Sequence, residues 1–266
     1  MSIDTAAVRV EKDVVYGPGG GRDLLCDVYR PDAAVSNRTA VLQLHGGGFR
    51  GGSKEGARVA LRLAGLGYTG IAAQYRLTAE AKWPAQLDDV QTALGWIKRQ
   101  ADALDVDADK VVILGHSAGA IMALCSAARL QGQVAACVAF YPAAEQSRSP
   151  DGALPEPLAA DADQRTIESL NPIGQVAAGF PPTLLLHGAA DTTFAPSNSL
   201  RLFDALTSVG APAELHVFEG LAHVFDNHAE FAELSSLMID LFLDRHVVNP
   251  RTYSQAMGRP AAPQPT

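Results

Sequence analysis

The chain has 266 residues, and 29 acidic against 21 basic residues give it a formal net charge of −8 at pH 7. This acidic balance argues against a nucleic-acid partner, because phosphate backbones are bound by clustered Lys and Arg side chains. A hydrophobic fraction of 47% is ordinary for a globular protein, and single α/β domains commonly reach about 250 residues. We therefore expect one folded domain over residues 1–246.

The start of the chain and its cysteines predict a cytoplasmic location. The first residues lack the basic start and apolar stretch of a signal peptide, and no segment approaches the ~18 apolar residues of a membrane span. The cysteines are odd in number, far apart and set in apolar runs, so they are predicted to be reduced core residues rather than disulfide partners or zinc ligands. They are Cys26, Cys125 and Cys137.

Apolar β-branched runs alternate with segments of helical periodicity, which predicts a mostly parallel sheet with helices on both faces. The first two runs flank a Gly-rich turn and predict an antiparallel hairpin. Eight strands are predicted at Val14–Tyr16, Leu24–Tyr29, Ala40–Leu44, Thr69–Gln74, Val111–Leu114, Val134–Phe140, Thr183–Leu186 and Ala213–Phe218. Five helices are predicted at Glu55–Leu66, Pro84–Gln100, Ser117–Leu130, Asn198–Val209 and from Asn227 to about Arg245.

Two segments depart from this alternation. Residues 143–178, a small insertion after the sixth strand, contain four prolines among scattered acidic residues, which is irregular for core and long for a connection. A cap over an active site and a solvated loop remain alternative interpretations of this insertion. Residues 247–266 are rich in Pro and Ala and are expected to form a disordered tail.

The sequence around Ser117 has the arrangement of a nucleophilic serine. An apolar strand runs into Gly115-His-Ser-Ala-Gly119, and a helical stretch follows. In a G-x-S-x-G turn the serine lies between strand and helix, and the helix N-terminus faces the charge that develops during attack. A serine that only caps a helix is the alternative, which this context disfavours.

A run of three glycines, 46–48, follows His45 at the end of the third predicted strand. Consecutive glycines let backbone N–H groups approach a ligand oxygen closely. Such HGGG loops form half of the oxyanion hole in lipases and esterases, and the amide after the nucleophile, here that of Ala118, forms the other half. A phosphate loop is disfavoured because its Gly-Lys-Ser/Thr or Gly-x-Gly-x-x-Gly spacing is missing. The predicted donors are Gly46, Gly47, Gly48 and Ala118, with Gly47 the first choice.

A nucleophilic serine needs a base and a carboxylate that orients the base. In this type of site the acid and then the histidine follow the serine along the chain. Asp191 lies just beyond the seventh predicted strand, at the sheet edge where active sites form. His223 lies in the loop after the eighth strand, and His228, at the start of the last helix, is the alternative base.

These residues, together with other motifs, resemble α/β-hydrolases of the hormone-sensitive-lipase-like and related carboxylesterase branch over about residues 10–245. The further motifs are Gln74-Tyr-Arg-Leu77 and Trp83-Pro-Ala85 leading to Asp88-Asp89. The resemblance implies an α/β-hydrolase fold with an eight-stranded, mostly parallel sheet. It also implies a catalytic triad of Ser117, His223 and Asp191 that needs no metal or organic cofactor.

The turn from Gly115 to Gly119 that carries Ser117, the nucleophile elbow, departs from the usual pattern of that branch. His116 stands where Asp is usual, and Ala120 stands where a second glycine follows the serine. With these two differences the elbow is similar to those of smaller esterases and arylformamidases. They therefore affect the expected substrate rather than the triad.

The predicted function is that of a serine carboxylesterase, which hydrolyses short-chain acyl esters through an acyl-enzyme intermediate. An arylformamidase that cleaves N-formylkynurenine is the alternative enzyme, because a formamide suits the same chemistry. A hydrolase-fold binding protein without turnover is the alternative from another class, although such proteins usually lack a triad residue. The expected partner is a small ester, and the sequence leaves the oligomeric state open, with a homodimer as one alternative.

Overall fold

A computed structural model of the protein describes residues 2–146 and 153–252. Its strands form one sheet in the order β1-β2-β4-β3-β5-β6-β7-β8. The strands are β1 Arg9–Gly19, β2 Arg22–Arg30, β3 Ala40–Leu44, β4 Thr69–Ala73, β5 Val111–His116, β6 Ala136–Phe140, β7 Thr183–Gly188 and β8 Ala213–Phe218. The β1–β2 and β2–β4 pairs are antiparallel and all other neighbours are parallel, which confirms the predicted hairpin and mostly parallel sheet.

Helices cover both faces of this sheet. They are α1 Arg58–Gly65, α2 Ala85–Arg99, α3 Ala101–Leu104, α4 Ala118–Arg129, α5 Gln164–Glu168, α6 Ser197–Ser208 and α7 Ala229–Leu243. Short 3-10 turns occur at Lys54–Gly56, Pro172–Gln175 and Phe225–Asn227, and a π-helical turn at Asp244–Val248 follows α7. The predicted α/β-hydrolase fold is thereby confirmed.

The alternating side chains of β5 show how both faces are filled. Val111 and Ile113 pack into the cluster that holds the apolar residues of α2, α4 and α6. Val112 and Leu114 point to the other face, against α1 and α7. Successive side chains of a strand point to opposite faces, so a strand covered on both sides reads as a continuous apolar run.

The first predicted helix is interrupted in the structure. Ser53 caps a 3-10 turn by accepting a hydrogen bond from the Glu55 amide at 3.3 Å. The backbone then leaves the helical conformation at Ala57, with ψ at +55°, and α1 begins at the next residue. The prediction of one continuous helix from Glu55 is therefore wrong. A short 3-10 turn comes first, and the non-helical backbone of Ala57 separates it from α1.

The described part of the insertion packs against the core rather than over the site. Leu158 and Leu170 are buried in the cluster that contains α2 and α4, and Trp83 Nε1 donates a hydrogen bond to Ser169 Oγ at 2.8 Å. Residues 147–152 of the insertion lie outside the described residues. None of the residues 153–178 lines the cavity at Ser117 described below.

The first residue of the predicted tail, Val247, is packed in the structure. Val247 is only 5% exposed and packs with the residues of α7, so the prediction of disorder from residue 247 is wrong at that position. Two valines in succession extend the apolar surface of the last helix by one turn. Residues 253–266 lie outside the described residues. Among the described helices, none combines the length and apolar character needed to cross a bilayer.

A buried ion pair joins the end of β4 to α2. The Asp89 side chain is 2% exposed, and its carboxylate accepts hydrogen bonds from Arg76 Nη2 at 2.6 Å and from the Arg76 amide at 2.8 Å. Asp89→Ala is expected to lower the free energy of unfolding by about 3 kcal/mol, because it leaves the mostly buried Arg76 guanidinium, 17% exposed, without its carboxylate partner.

Urea denaturation measures this loss, and the neighbouring residue provides the control. Asp88 pairs with Arg129 on the surface, where the two side chains are 53% and 40% exposed, so Asp88→Ala should cost at most ~1 kcal/mol. Equal effects of the two substitutions would contradict a structural role for the buried pair.

Candidate active site

Ser117 occupies a strained turn between a strand and a helix. β5 ends at His116, α4 begins at Ala118, and Ser117 between them has φ +53° and ψ −116°. A Cβ at Gly115 would lie 2.0 Å from the Gly119 carbonyl oxygen, so the turn closes only with glycine there. Positive φ in a non-glycine residue is uncommon and is concentrated at functional sites.

The structure brings Ser117, His223 and Asp191 into one hydrogen-bonded chain. Ser117 Oγ lies 2.9 Å from His223 Nε2, and His223 Nδ1 lies 2.6 Å from Asp191 Oδ2. A carboxylate only accepts hydrogen bonds, so Nδ1 carries the proton and Nε2 accepts from the serine hydroxyl. The His223 ring is therefore oriented to take the serine proton.

Backbone donors hold the Asp191 carboxylate in place. Its side chain is fully buried, and Oδ1 accepts hydrogen bonds from the amides of Thr193 at 2.8 Å and Phe194 at 2.9 Å. These two bonds leave Oδ2 directed at His223. A buried carboxylate held by two backbone amides is a fixed hydrogen-bond acceptor for an imidazole.

Two other histidines near these residues have different environments. His187 is buried; its Nε2 donates to the Phe194 carbonyl at 2.8 Å and its Nδ1 accepts from Ser199 Oγ at 2.7 Å. Burial lowers the pKa of His187, which keeps this imidazole neutral. His228, the alternative base, is exposed at the start of α7 and does not line the cavity at Ser117.

The glycine loop lies against the serine. A Cβ at Gly46 would be 3.3 Å from Ser117 Cβ, and Gly47 has φ +113°. His45 Nδ1 donates to the Gly46 carbonyl at 2.8 Å, and its ring stacks on Tyr75 with centroids 4.2 Å apart. The C=O and N–H groups of a trans peptide point in opposite directions. Because the Gly46 carbonyl points to His45, the N–H of Gly47 in the same peptide points away from His45.

A cavity of about 630 Å³ opens at Ser117, within the usual range for small-molecule sites. All three predicted glycines and His223 line it, and Asp191 lies behind His223. Its remaining wall contains mostly small or polar residues, including Gln43, Ser53, Ala57, Ala72, Thr193 and Asn227. Among the described residues no group of three or more His, Cys, Asp or Glu side chains is arranged to hold a metal ion.

Comparison with known protein families identifies the family of this chain. A model of the BD-FAE family matches residues 26–206. The chain belongs to the BD-FAE family. The predicted resemblance to α/β-hydrolases of the hormone-sensitive-lipase-like branch is confirmed by this match and by esterases of similar sequence and structure.

Relatives of this BD-FAE chain include bacterial ester hydrolases. It is 26% identical to the probable carboxylic ester hydrolase LipM of Mycobacterium tuberculosis, over 88% of this chain and 62% of LipM. It is 30% identical to the ethyl acetate hydrolase of Pseudomonas putida, over 77% of this chain and 72% of that protein. The chain spans about three fifths of the length of LipM and of the esterase LipQ.

Solved structures of one esterase superpose closely. Thermogutta terrifontis esterase 2 phosphorylated by paraoxon aligns with a TM-score of 0.75 and 26% identity, over 94% of this chain and 98% of that one. The same esterase has been solved with butyrate bound and with propionate bound.

A second polar cluster in the BD-FAE chain was missed by the sequence analysis. Asp226 accepts a hydrogen bond from the Tyr141 hydroxyl at 2.6 Å, and its other oxygen lies 3.3 Å from His116 Nε2. Burial alone would raise the pKa of Asp226, but the His116 imidazole and the Tyr141 hydroxyl hold it below its usual value. Tyr141 follows β6 directly, so its place at a strand end was the available signal.

Gly47 offers a direct test of the glycine loop. A Cβ there would lie 2.2 Å from the Gly51 carbonyl oxygen, so Gly47→Val must move the loop and its amides. On the prediction from the sequence that this loop supplies an oxyanion donor for ester hydrolysis, losing that donor costs about 3 kcal/mol, and kcat should fall by about 10²–10³-fold with KM little changed.

Gly51→Ala is the matched control in the same loop, because a Cβ there meets nothing within 4 Å; its kcat should stay near that of the wild type. A rise in KM with kcat preserved in Gly47→Val would assign the loop to substrate binding instead.

Proposed function

We propose that the chain is a serine carboxylesterase that acts on short-chain acyl esters. The observation that carries the proposal is the chain of hydrogen bonds from Ser117 through His223 to Asp191, which ends at a cavity bordered by the glycine loop. Relatives and structural neighbours that are named as ester hydrolases support the same reaction class.

We assign one residue to each step of the proposed reaction. Ser117 Oγ attacks the ester carbonyl while His223 Nε2 takes its proton, and the protonated imidazole then gives that proton to the leaving alcohol. Asp191 holds the ring and stabilises its charged form. A water molecule, activated by the same histidine, then releases the acid from Ser117 and restores the enzyme.

The developing oxyanion needs donors that are fixed before the reaction. We assign this role to the amide of Ala118 at the start of α4 and to the glycine loop, with Gly47 as the first choice and Gly46 and Gly48 beside it. The hydrogen bond from His45 to the Gly46 carbonyl supports this assignment. It fixes the orientation of the Gly46–Gly47 peptide through its carbonyl and does not engage the N–H of Gly47.

The preferred acyl chain is expected to contain roughly two to six carbons, because an acyl chain stops gaining the ~0.8 kcal/mol per buried methylene where it runs out of apolar surface to cover it. Leu158 and Leu170 of the insertion are buried in the core and do not line the cavity. These two side chains therefore do not form an apolar lid over it. The butyrate and propionate complexes of Thermogutta terrifontis esterase 2 agree with a short acyl group.

A series of 4-nitrophenyl esters from acetate to palmitate, compared by kcat/KM, measures this preference. A maximum at twelve carbons or more, or activation at an oil–water interface, would make the protein a lipase. N-formylkynurenine belongs in the same assay, because the Gly115-His-Ser-Ala-Gly119 elbow also suits the arylformamidase alternative. The cytoplasmic location stays a prediction from the sequence, which leaves the oligomeric state open.

A further inference from the structure

The loop that carries His223 has a backbone conformation that needs support from outside the loop. Val224 has φ +55° and ψ +35°, the left-handed region that β-branched residues strongly avoid. Its side chain is 43% exposed, so its own packing offsets little of that strain. Strained residues persist where the surrounding structure fixes them.

Asp226 connects this loop to the sheet. Three residues after His223, it accepts the hydroxyl of Tyr141, which follows β6, and faces His116, which ends β5. The two strands are parallel neighbours, so one carboxylate is held by two adjacent strand ends. The Asp226 side chain is 13% exposed and that of His116 is 10% exposed, so solvent screens these contacts little.

Tyr141 also contacts the histidine itself. Its ring centroid lies 4.5 Å from that of His223 at an interplanar angle of 59°. The edge of Phe194 meets the His223 ring at 5.6 Å and 83°. The phenol that contacts the imidazole therefore also bonds the loop on which the imidazole is carried.

We propose that Tyr141 and Asp226 are positioning residues, whose hydrogen bond holds the His223 ring in line with Ser117. This inference rests on the proposed function for its kinetic consequences but not for its geometry. His116 is the second partner of the Asp226 carboxylate, which gives a reason for histidine at this place in the elbow: an acid at 116 would set two carboxylates against each other.

Tyr141→Phe is the decisive variant, because it keeps the ring and removes only the hydroxyl. We expect kcat to fall by 10–100-fold with KM within twofold, since small displacements of a catalytic group cost about 10²-fold. Tyr68→Phe is the matched control: the Tyr68 hydroxyl also bonds a carboxylate, that of Asp240, at 2.8 Å, and Tyr68 does not line this cavity. Tyr68→Phe should lower the melting temperature and leave kcat within twofold.

Asp226→Ala tests the other end of the bond. If the two residues act as one unit, Tyr141→Phe/Asp226→Ala should lose no more kcat than the worse single variant, because contributions through a shared contact are not additive. Multiplying losses in the double variant would mean that the residues act separately and would overturn the proposal.

A spectroscopic measurement separates positioning from turnover. The short His223–Asp191 bond should give a strongly deshielded Nδ1 proton in the NMR spectrum, assigned by its loss in His223→Ala. The signal should shift or broaden in Tyr141→Phe and stay unchanged in Tyr68→Phe. An unchanged signal in Tyr141→Phe would overturn the proposal, whether or not the wild type hydrolyses esters; absence of hydrolysis in the wild type would refute the proposed function alone.

Discussion

Replacing Ser117 by alanine is expected to lower kcat for ester hydrolysis by about 10⁴-fold or more, because the proposed nucleophile is lost and only binding and the proposed oxyanion donors remain. Stability should stay near that of the wild type. Within the described ranges the hydroxyl bonds only to His223, and alanine differs from serine by that hydroxyl alone. Steady-state kinetics with 4-nitrophenyl acetate and a thermal melt measure both quantities.

Ser126→Ala provides a matched control in α4, the helix that follows Ser117. Ser126 is 1% exposed, and its Oγ has no hydrogen-bond partner in the described part of the chain, so its removal should leave kcat within twofold of the wild type. Hydrolysis by Ser117→Ala within tenfold of the wild type would mean that another group attacks the ester.

Replacing His223 by alanine is expected to lower kcat to a similar extent, about 10⁴-fold, because the proposed base for the serine proton is lost. The three residues act as one unit, so the double variant with Ser117→Ala should lose little more than either single variant. The same chromogenic assay, with KM determined separately, measures this loss.

His228→Ala is the control, because His228 was the alternative base and is exposed at the start of α7. Its kcat should remain within twofold of the wild type. The opposite pattern, with activity lost in His228→Ala and kept in His223→Ala, would show that the base is His228 and not His223.

The sequence predicted the bounds of two strands correctly, the buried central strand β3 and the half-buried edge strand β8. β3 and β8 have the predicted bounds, Ala40–Leu44 and Ala213–Phe218, because apolar runs there end at turn residues. β1 is much longer than the predicted Val14–Tyr16. It is an edge strand with mostly exposed side chains, so hydrophobic periodicity marks only its buried part.

The hydrogen-bonded chain of Ser117, Asp191 and His223 could be predicted because each residue follows a recognisable strand and the chain order is fixed by the fold. The bond between Tyr141 and Asp226 could not be predicted in this way. Its partners are 85 residues apart, and no local pattern records a polar contact between two loops. The break at Ala57 also escaped prediction, since alanine itself favours a helix.

Intact-mass analysis after treatment with paraoxon tests the central claim most directly, because a serine activated by a histidine attacks the organophosphate as it attacks an ester. One diethylphosphoryl group per chain is expected, mapped by peptide sequencing to Ser117. The adduct should be missing in Ser117→Ala, form far more slowly in His223→Ala, and form normally in Ser126→Ala. Equal modification of the wild type and Ser117→Ala, or an adduct on another residue, would contradict the account.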